Sequence, residues 1–174
     1  MEGIHDRGNR DLSRHMEYSK QDLMYFDDQK NQKYIPFVVE TACGADRLFL
    51  ASLCNAYEEE DLGNGDIRTV LKFNPAIAPY KLAVMPLQKK DELTKLADQI
   101  YNDLNKFWSI DYDETGSIGK RYRRADEIGT PYCLTVDFQS LEDGMVTIRD
   151  RDSMEQIRIK IEEVSNFLRE KMEK

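Results

Sequence analysis

The segment VVETACGADRLFL, residues 38–50, sets a carboxylate, a small-residue turn and a guanidinium in close succession. Glu40 closes an apolar run, Ala42, Cys43 and Gly44 make the turn, and Arg47 falls in the first turn of a following helix. Small residues let backbone amides approach a ligand closely, and an arginine beside a helix start offers a fork of donors to phosphate oxygens. The same residues also suit a plain strand-to-helix turn with a solvated arginine. The opening EGIHDRGNRDL gathers Glu2, His5, Asp6, Arg7, Arg10 and Asp11, which reads either as a polar cluster at a cleft or as a solvated terminus. His5 and His15 lack metal-ligand spacing, so no metal site is expected. A third group, Lys120, Arg121, Arg123 and Arg124 with Tyr122 among them, could meet nucleic acid, because cations hold phosphates while unpaired bases are read by stacking and edge hydrogen bonds. Its other reading is a solvated helix face paired with Asp126 and Glu127.

The elements that must position these groups follow from apolar spacing. GNRDLSRHMEY can form a short helix, and LMYFD and KYIPFVVE, separated by DQKNQ, give a hairpin signal. From Ala45 to Tyr57, Leu48, Phe49, Leu50, Leu53, Cys54 and Ala56 are apolar nearly all round, the pattern of a buried helix. EEEDLGNGD breaks this pattern, and Pro75 and Pro79 favour an extended connection, so a boundary is expected between about residues 58 and 80. Beyond Lys81, LAVMPL reads as a strand buried on both faces. Leu93, Leu96, Ala97, Ile100, Tyr101, Leu104 and Phe107 follow at helical spacing, then a short strand near 109–112 and a helix over 117–128. On that helix Ile118, Tyr122 and Ala125 take one side, and the basic residues spread over the other. YCLTVDF, MVTIRD and EQIRIKI alternate as strands, RDRDSM turns between the last two, and a closing helix points Val164, Phe167 and Leu168 inward. The expected class is α/β, a mixed sheet flanked by helices, in the order βαβαββ(β)α.

Composition narrows the function classes. The 174 residues carry a net charge of −8, which argues against indiscriminate binding to DNA or RNA while leaving room for a local basic face. No apolar run approaches the roughly 20 residues of a membrane crossing, and the N-terminus lacks a signal-peptide core, so a cytoplasmic protein with no membrane partner is expected. Cys43, Cys54 and Cys133 are odd in number, widely spaced and flanked by apolar residues, as reduced packing cysteines are.

Five strings taken together, EGIHDRGNRDLSRHMEYS, YIPFVVETACGADR, LKFNPAIAP, GSIGKRYRRADEIGTPYCLTVDF and MVTIRDRDSMEQIRI, resemble in order the C-terminal part of class II glycyl-tRNA synthetases of the dimeric type. The similarity covers essentially the whole chain. It implies that residues 1–60 are the last, partial antiparallel α+β piece of a catalytic domain, with class II motif 3 on Gly44, Ala45, Asp46 and Arg47. Residues 61–80 would be a linker and 81–174 an anticodon-binding domain.

In such enzymes ATP, usually with Mg2+, and glycine form glycyl-adenylate before the glycyl group passes to tRNA. Arg47 matches the motif 3 arginine that holds the ATP phosphates, and is the catalytic candidate. Glu40 matches the acidic residue that receives the glycine ammonium, Arg7 an arginine lining the amino-acid pocket, and Thr41, Ala42, Cys43 and Gly44 the rest of that wall. Glu2 lies beside an ATP-contacting segment that also includes Gly44, Ala45 and Asp46. Lys120, Arg121, Arg123 and Arg124 become candidates for contact with a glycine-specific tRNA. The family usually has Ser where this chain has Ala42, and a lost hydroxyl costs about 1 kcal/mol. The motif 2 arginine, most of the catalytic sheet and the motif 1 interface of the homodimer lie outside these residues, and half a pocket cannot preorganise a transition state. The resemblance thus implies a glycine-tRNA ligase fragment that contributes anticodon binding and, in isolation, neither aminoacylates nor takes a cofactor. The alternative is a noncatalytic RNA- or protein-binding module derived from the same domain.

Overall fold

The computed structural model describes residues 2–172, which divide into two compact units at residues 51 and 52. In the first unit β1 (Glu2–Asp6) pairs antiparallel with β4 (Val39–Cys43), in register Glu2 with Cys43 and His5 with Glu40. Helix α1 (Arg10–Ser19) follows β1, as its sequence leads one to expect. The hairpin is smaller than expected: β2 (Tyr25–Asp27) pairs with β3 (Gln32–Tyr34), and KYIPFVVE is not one strand. Pro36 has no N–H for a ladder, so β3 stops at Tyr34 and the chain re-enters a sheet at Val39 beside a different partner. Helix α2 (Ala45–Ala56) forms where expected but is not buried. Only Ala56 is enclosed, while Phe49 is 66% and Leu50 60% exposed. Phe49 and Leu50 face solvent, while Leu53 further along the helix is half-buried.

The second unit is built on a five-stranded mixed sheet. β7 (Leu82–Pro86) is an interior strand and buried at every position, as its unbroken apolar run predicts. β7 pairs in parallel with β8 (Ile110–Tyr112) on one side and with β9 (Tyr132–Val136) on the other. β10 (Met145–Asp150) and β11 (Gln156–Lys160) then add antiparallel, giving the order β11-β10-β9-β7-β8. Helix α3 (Asp91–Leu104) turns Leu93, Ala97, Ile100 and Leu104 onto one face, where α6 (Val164–Met172) adds Val164 and Leu168. Phe107 lies beyond the end of α3 and is exposed. The other face is narrower: Ala83, Met85 and Cys133 meet Ala125 of α4 (Ile118–Ile128).

Two elements depart from the expected order. A six-residue helix, α5 (Phe138–Asp143), interrupts the run between β9 and β10; Asp137 caps it by accepting from the Ser140 backbone N–H at 2.9 Å, and the Ser140 hydroxyl caps back. The expected linker 61–80 is no free connection. β5 (Tyr57–Asp61) and β6 (Ile67–Leu71) form a hairpin across it, and β6 runs along α4. Asn64 and Gly65 both hold positive φ at its tip, the mirror-image turn whose twist matches paired strands. Gly129 ends α4 at φ +86°, and a Cβ there would sit 2.6 Å from the Phe73 ring and 2.8 Å from the Leu71 carbonyl oxygen. The return segment is therefore seated directly on the helix end. Among the described residues no helix is long and apolar enough to cross a membrane.

Candidate functional site

The first unit carries the residues that the sequence groups around a nucleotide and an amino acid. Residues directly opposed in an antiparallel pair share a face, so the register sorts them in two. Glu40 and Ala42 stand with His5 and Gly3, whereas Glu2, Thr41 and Cys43 stand on the opposite face. Glu2 and Glu40 are thus not on one wall. Glu40 and Arg7 are brought together: the Arg7 Nε lies 3.5 Å from the Glu40 carboxylate and donates to Asp11 at 2.8 Å. The bond to Asp11, and its charge, hold the Arg7 guanidinium above its ordinary value and Asp11 below its own.

The small-residue turn does what its composition predicts, since Gly44 leads straight into α2 and its carbonyl accepts from Leu48 N–H at 3.0 Å. Arg47 folds its stem back over Gly44 at 3.7 Å from where a Cβ would be, and forms no ion pair among the described residues. Ala45 and Asp46 open the helix beside it. Every residue from Thr41 to Leu50 is exposed, so the arrangement is an open ledge with a carboxylate-guanidinium pair and a second guanidinium, and nothing within the unit keeps water out. Cys43 and Cys54 are exposed free thiols and do not pack as expected; Cys133 does, and burial pushes its thiol up to about 12.

In the second unit the basic helix face is largely committed to the fold. Arg121 does not lie on the outer side: it is 2% exposed, one turn from Ala125, and its guanidinium donates to the Pro86 carbonyl at 2.5 Å and to those of Leu87 and Asp113 at 3.2 Å. An arginine stem is apolar enough to share the inward stripe once its head finds carbonyls. Arg124 forks onto Asp113 at 2.5 and 3.0 Å, and Arg123 reaches Asp66 at 2.6 Å. Lys120 alone of the four is fully exposed without an ion pair among the described residues.

Sequence reasoning missed the arginines that organise this unit. Asp126 of α4 is completely buried and accepts from Arg68 Nε at 2.8 Å and from both Arg149 terminal nitrogens at 2.9 and 3.2 Å. Arg68 also donates to Glu60 at 2.6 Å and to the Arg151 carbonyl, and Arg151 holds the Leu71, Phe73 and Gly129 carbonyls at 2.9 to 3.1 Å. Burial pulls the Arg68 guanidinium down, but its bonds to Asp126 and Glu60 leave it raised overall. Arg149 stacks 4.9 Å from the Tyr122 ring, whose hydroxyl meets Thr135 at 2.7 Å. The hairpin, α4 and β10 are thereby tied through one carboxylate.

An open feature lies at the carboxyl ends of the parallel strands. β8 and β9 flank β7, so the chain reverses its winding between β7 and β9, where ligands of open α/β sheets bind. There Phe138 is 38% exposed and Lys90 sits 4.8 Å from its ring centre, with Gln88 and Lys89 in the same loop. Arg158 donates to Asp137 and Asp143 at 2.9 Å, and against the opposing effect of burial the Ser140 hydroxyl and backbone N–H, with Arg158 added, hold the Asp137 carboxyl below its usual range. An exposed ring beside a cation suits a nucleobase and its phosphate. The sequence signal was present as DF directly after a buried strand.

Comparison with known proteins adds three findings. Residues 81–171 match the family model described as an anticodon binding domain. The chain is 58% identical to the glycine–tRNA ligase of Ruminiclostridium cellulolyticum over 171 residues, and 57% to that of Lachnoclostridium phytofermentans. The Bacillus cereus glycine–tRNA ligase is 55% identical over 171 residues. Each alignment covers 98% of this chain and 37% of the relative, so the chain spans little more than a third of the length of these proteins.

Proposed function

The chain belongs to the anticodon-binding domain family through residues 81–171, and on that premise we propose that it supplies the anticodon-loop grip of a glycine–tRNA ligase. The observation that carries this reading is the exposed Phe138 ring with Lys90 at the point where the sheet reverses its winding. An unpaired base stacks on such a ring for about 1–3 kcal/mol, while Lys89, Lys90 and Lys120 meet phosphates. Arg121 and Arg124 act behind this surface by holding the Pro86–Leu87 and Asp113–Thr115 loops, and Arg123 ties α4 to Asp66 at the hairpin tip.

Residues 1–60 contribute part of the site for glycine and ATP in the whole ligase: Glu40, set by Arg7, takes the ammonium group, and Arg47 on the motif 3 turn takes phosphate. Residues 81–174 form the anticodon domain, which the 57–71 hairpin extends. Among the described residues no three His, Cys, Asp or Glu side chains gather around a metal position. The openness of the Thr41–Leu50 ledge favours a second reading, a noncatalytic RNA-binding module. Glycine-dependent exchange of pyrophosphate into ATP by a full-length ligase carrying these residues, lost on Glu40→Gln, supports the first reading over the second.

The test is binding of the chain to a glycine-specific tRNA at two salt concentrations. Phe138→Ala is expected to weaken binding at least fivefold with an unchanged fold, and Lys89→Gln with Lys90→Gln to flatten the salt dependence. Salt-independent binding that ignores all three substitutions would overturn the reading.

A further inference from the structure

The paired strands β1 and β4 leave a hollow on one face of the first unit. Gly3 stands opposite Ala42 and His5 opposite Glu40, and directly opposed positions in an antiparallel pair hold their Cβ atoms about 4.5–5.5 Å apart. Two corners of this square carry almost nothing, since glycine has no side chain and alanine only a methyl. A third corner is the Glu40 carboxylate, with the Arg7 Nε 3.5 Å away. The fourth, His5, does not stand upright on its strand. Its imidazole leans back over Gly3, where Nε2, Cε1 and Cδ2 come within 2.6, 3.3 and 3.4 Å of the place a Cβ would take. A glycine inside a strand often marks such a close approach, and here the ring lies flat only because Gly3 has no side chain. The imidazole therefore occupies the hollow left by Gly3, on the same face as Glu40 and Ala42.

Resting on the reading that Glu40 takes the glycine ammonium, we propose that His5 is a specificity-determining residue, its ring filling the space into which the side chain of any amino acid larger than glycine would project. The ammonium nitrogen and the first side-chain carbon are bonded to the same Cα. Once Glu40 fixes the ammonium and the carboxyl group turns toward the ATP phosphates, an L-amino acid has a single direction left for its side chain. The His5 ring lies in it. Exclusion by bulk suits this face, because Ala42 has no hydroxyl with which to select by hydrogen bonding. A pocket tells one methylene from none by about 10–200-fold, and that is the discrimination this ring has to supply against alanine. Forcing an extra methyl into a filled space displaces side chains from their preferred rotamers, which is where the selection arises. The role belongs to the volume of the ring and not to its proton.

The experiment uses a full-length ligase carrying this sequence and measures exchange of pyrophosphate into ATP driven by glycine or by L-alanine. His5→Ala is expected to lower the glycine-to-alanine ratio of kcat/KM at least about tenfold, chiefly through a lower KM for alanine. His5→Gln, close to the ring in bulk, should keep that ratio within about threefold of the parent, which a role for the imidazole proton would not allow. A ratio that His5→Ala leaves unchanged while glycine is still activated, or one that His5→Gln lowers as far as His5→Ala does, overturns the ring as a gate and leaves the glycine reading standing. Glycine-dependent exchange that survives Glu40→Gln overturns the glycine reading and the gate together. Should His5→Ala fail to fold, Gly3→Ala decides, because Gly3 has ordinary strand backbone and the new methyl must displace the ring. The ratio is then expected to move by at least about threefold, and a smaller change overturns the gate.

Discussion

Replacing Asp126 by Asn leaves the shape of α4 untouched and removes the carboxylate that two buried guanidinium groups share. Its oxygens accept three bonds, one from Arg68 and two from Arg149, at 2.8 to 3.2 Å. An amide has one oxygen to offer, and its NH2 then faces an arginine N–H. One or two charge-assisted bonds of about 1.5–3 kcal/mol each are lost, and positive charge with 1% and 6% exposure is left undercompensated. Breaking a buried pair from one side costs about 3–5 kcal/mol, a large share of the roughly 5–15 kcal/mol that holds a domain together. Urea unfolding followed by Trp108, the single tryptophan, reads this unit selectively because the indole packs against its core. A loss below about 1 kcal/mol would refute the reasoning and mean that water solvates the network. The triple change Arg68→Met, Asp126→Leu, Arg149→Met should recover much of the loss, since apolar side chains often replace a buried ionic triad without penalty.

Two further outcomes follow from the burial and ion pairs of the second unit. Cys43 and Cys54 should react with a thiol reagent at pH 8 in the folded chain, whereas Cys133, buried and with a thiol value near 12, should react only at the rate of unfolding; prompt labelling of all three would contradict the packing under α4. The Lys72 bond, with Arg68 added, holds the Glu60 carboxyl below its ordinary value. A depressed carboxylate stabilises fully above its unfolded value of about 4.3 and loses that contribution as pH falls through the folded one. Glu60→Gln should therefore flatten the stability profile below about pH 4.3 and lower the plateau above it by roughly 1–2 kcal/mol. A variant whose profile parallels the parent would show that the hairpin is not held by this charge.

The sheet of the second unit was legible because its signals are long and redundant. The unbroken run 82–87 could only be a strand covered on both faces, and the spacing of Leu93, Ala97, Ile100 and Leu104 fixed the helix laid on it. Helix α5 escaped because six residues cannot show a period, although Asp137 and Ser140 spelled out its cap. The hairpin 57–71 escaped because four acids in a row looked like a loop and outweighed Asn64-Gly65, the stronger turn signal. The basic helix misled for a different reason. Charge suggests solvent, yet Arg121 recurs one turn from Ala125, and only three-dimensional carbonyl partners reveal that its head is satisfied inside. On the ledge the spacing of Glu40, Gly44 and Arg47 was read from sequence, but the face each side chain takes depends on register with β1, some 35 residues distant.

The clamp on Asp126 has a practical corollary for anyone dissecting this protein. The stretch that matches the anticodon-binding domain model opens at Lys81, but the stretch that folds as one body opens about thirty residues earlier, inside α2. A gene trimmed to the matching stretch would encode all five sheet strands and still lose Arg68 together with the carbonyls of Leu71 and Phe73, uncovering the outer side of α4. Where the anticodon-binding domain model begins and where a stable polypeptide can be cut are, in this molecule, different places.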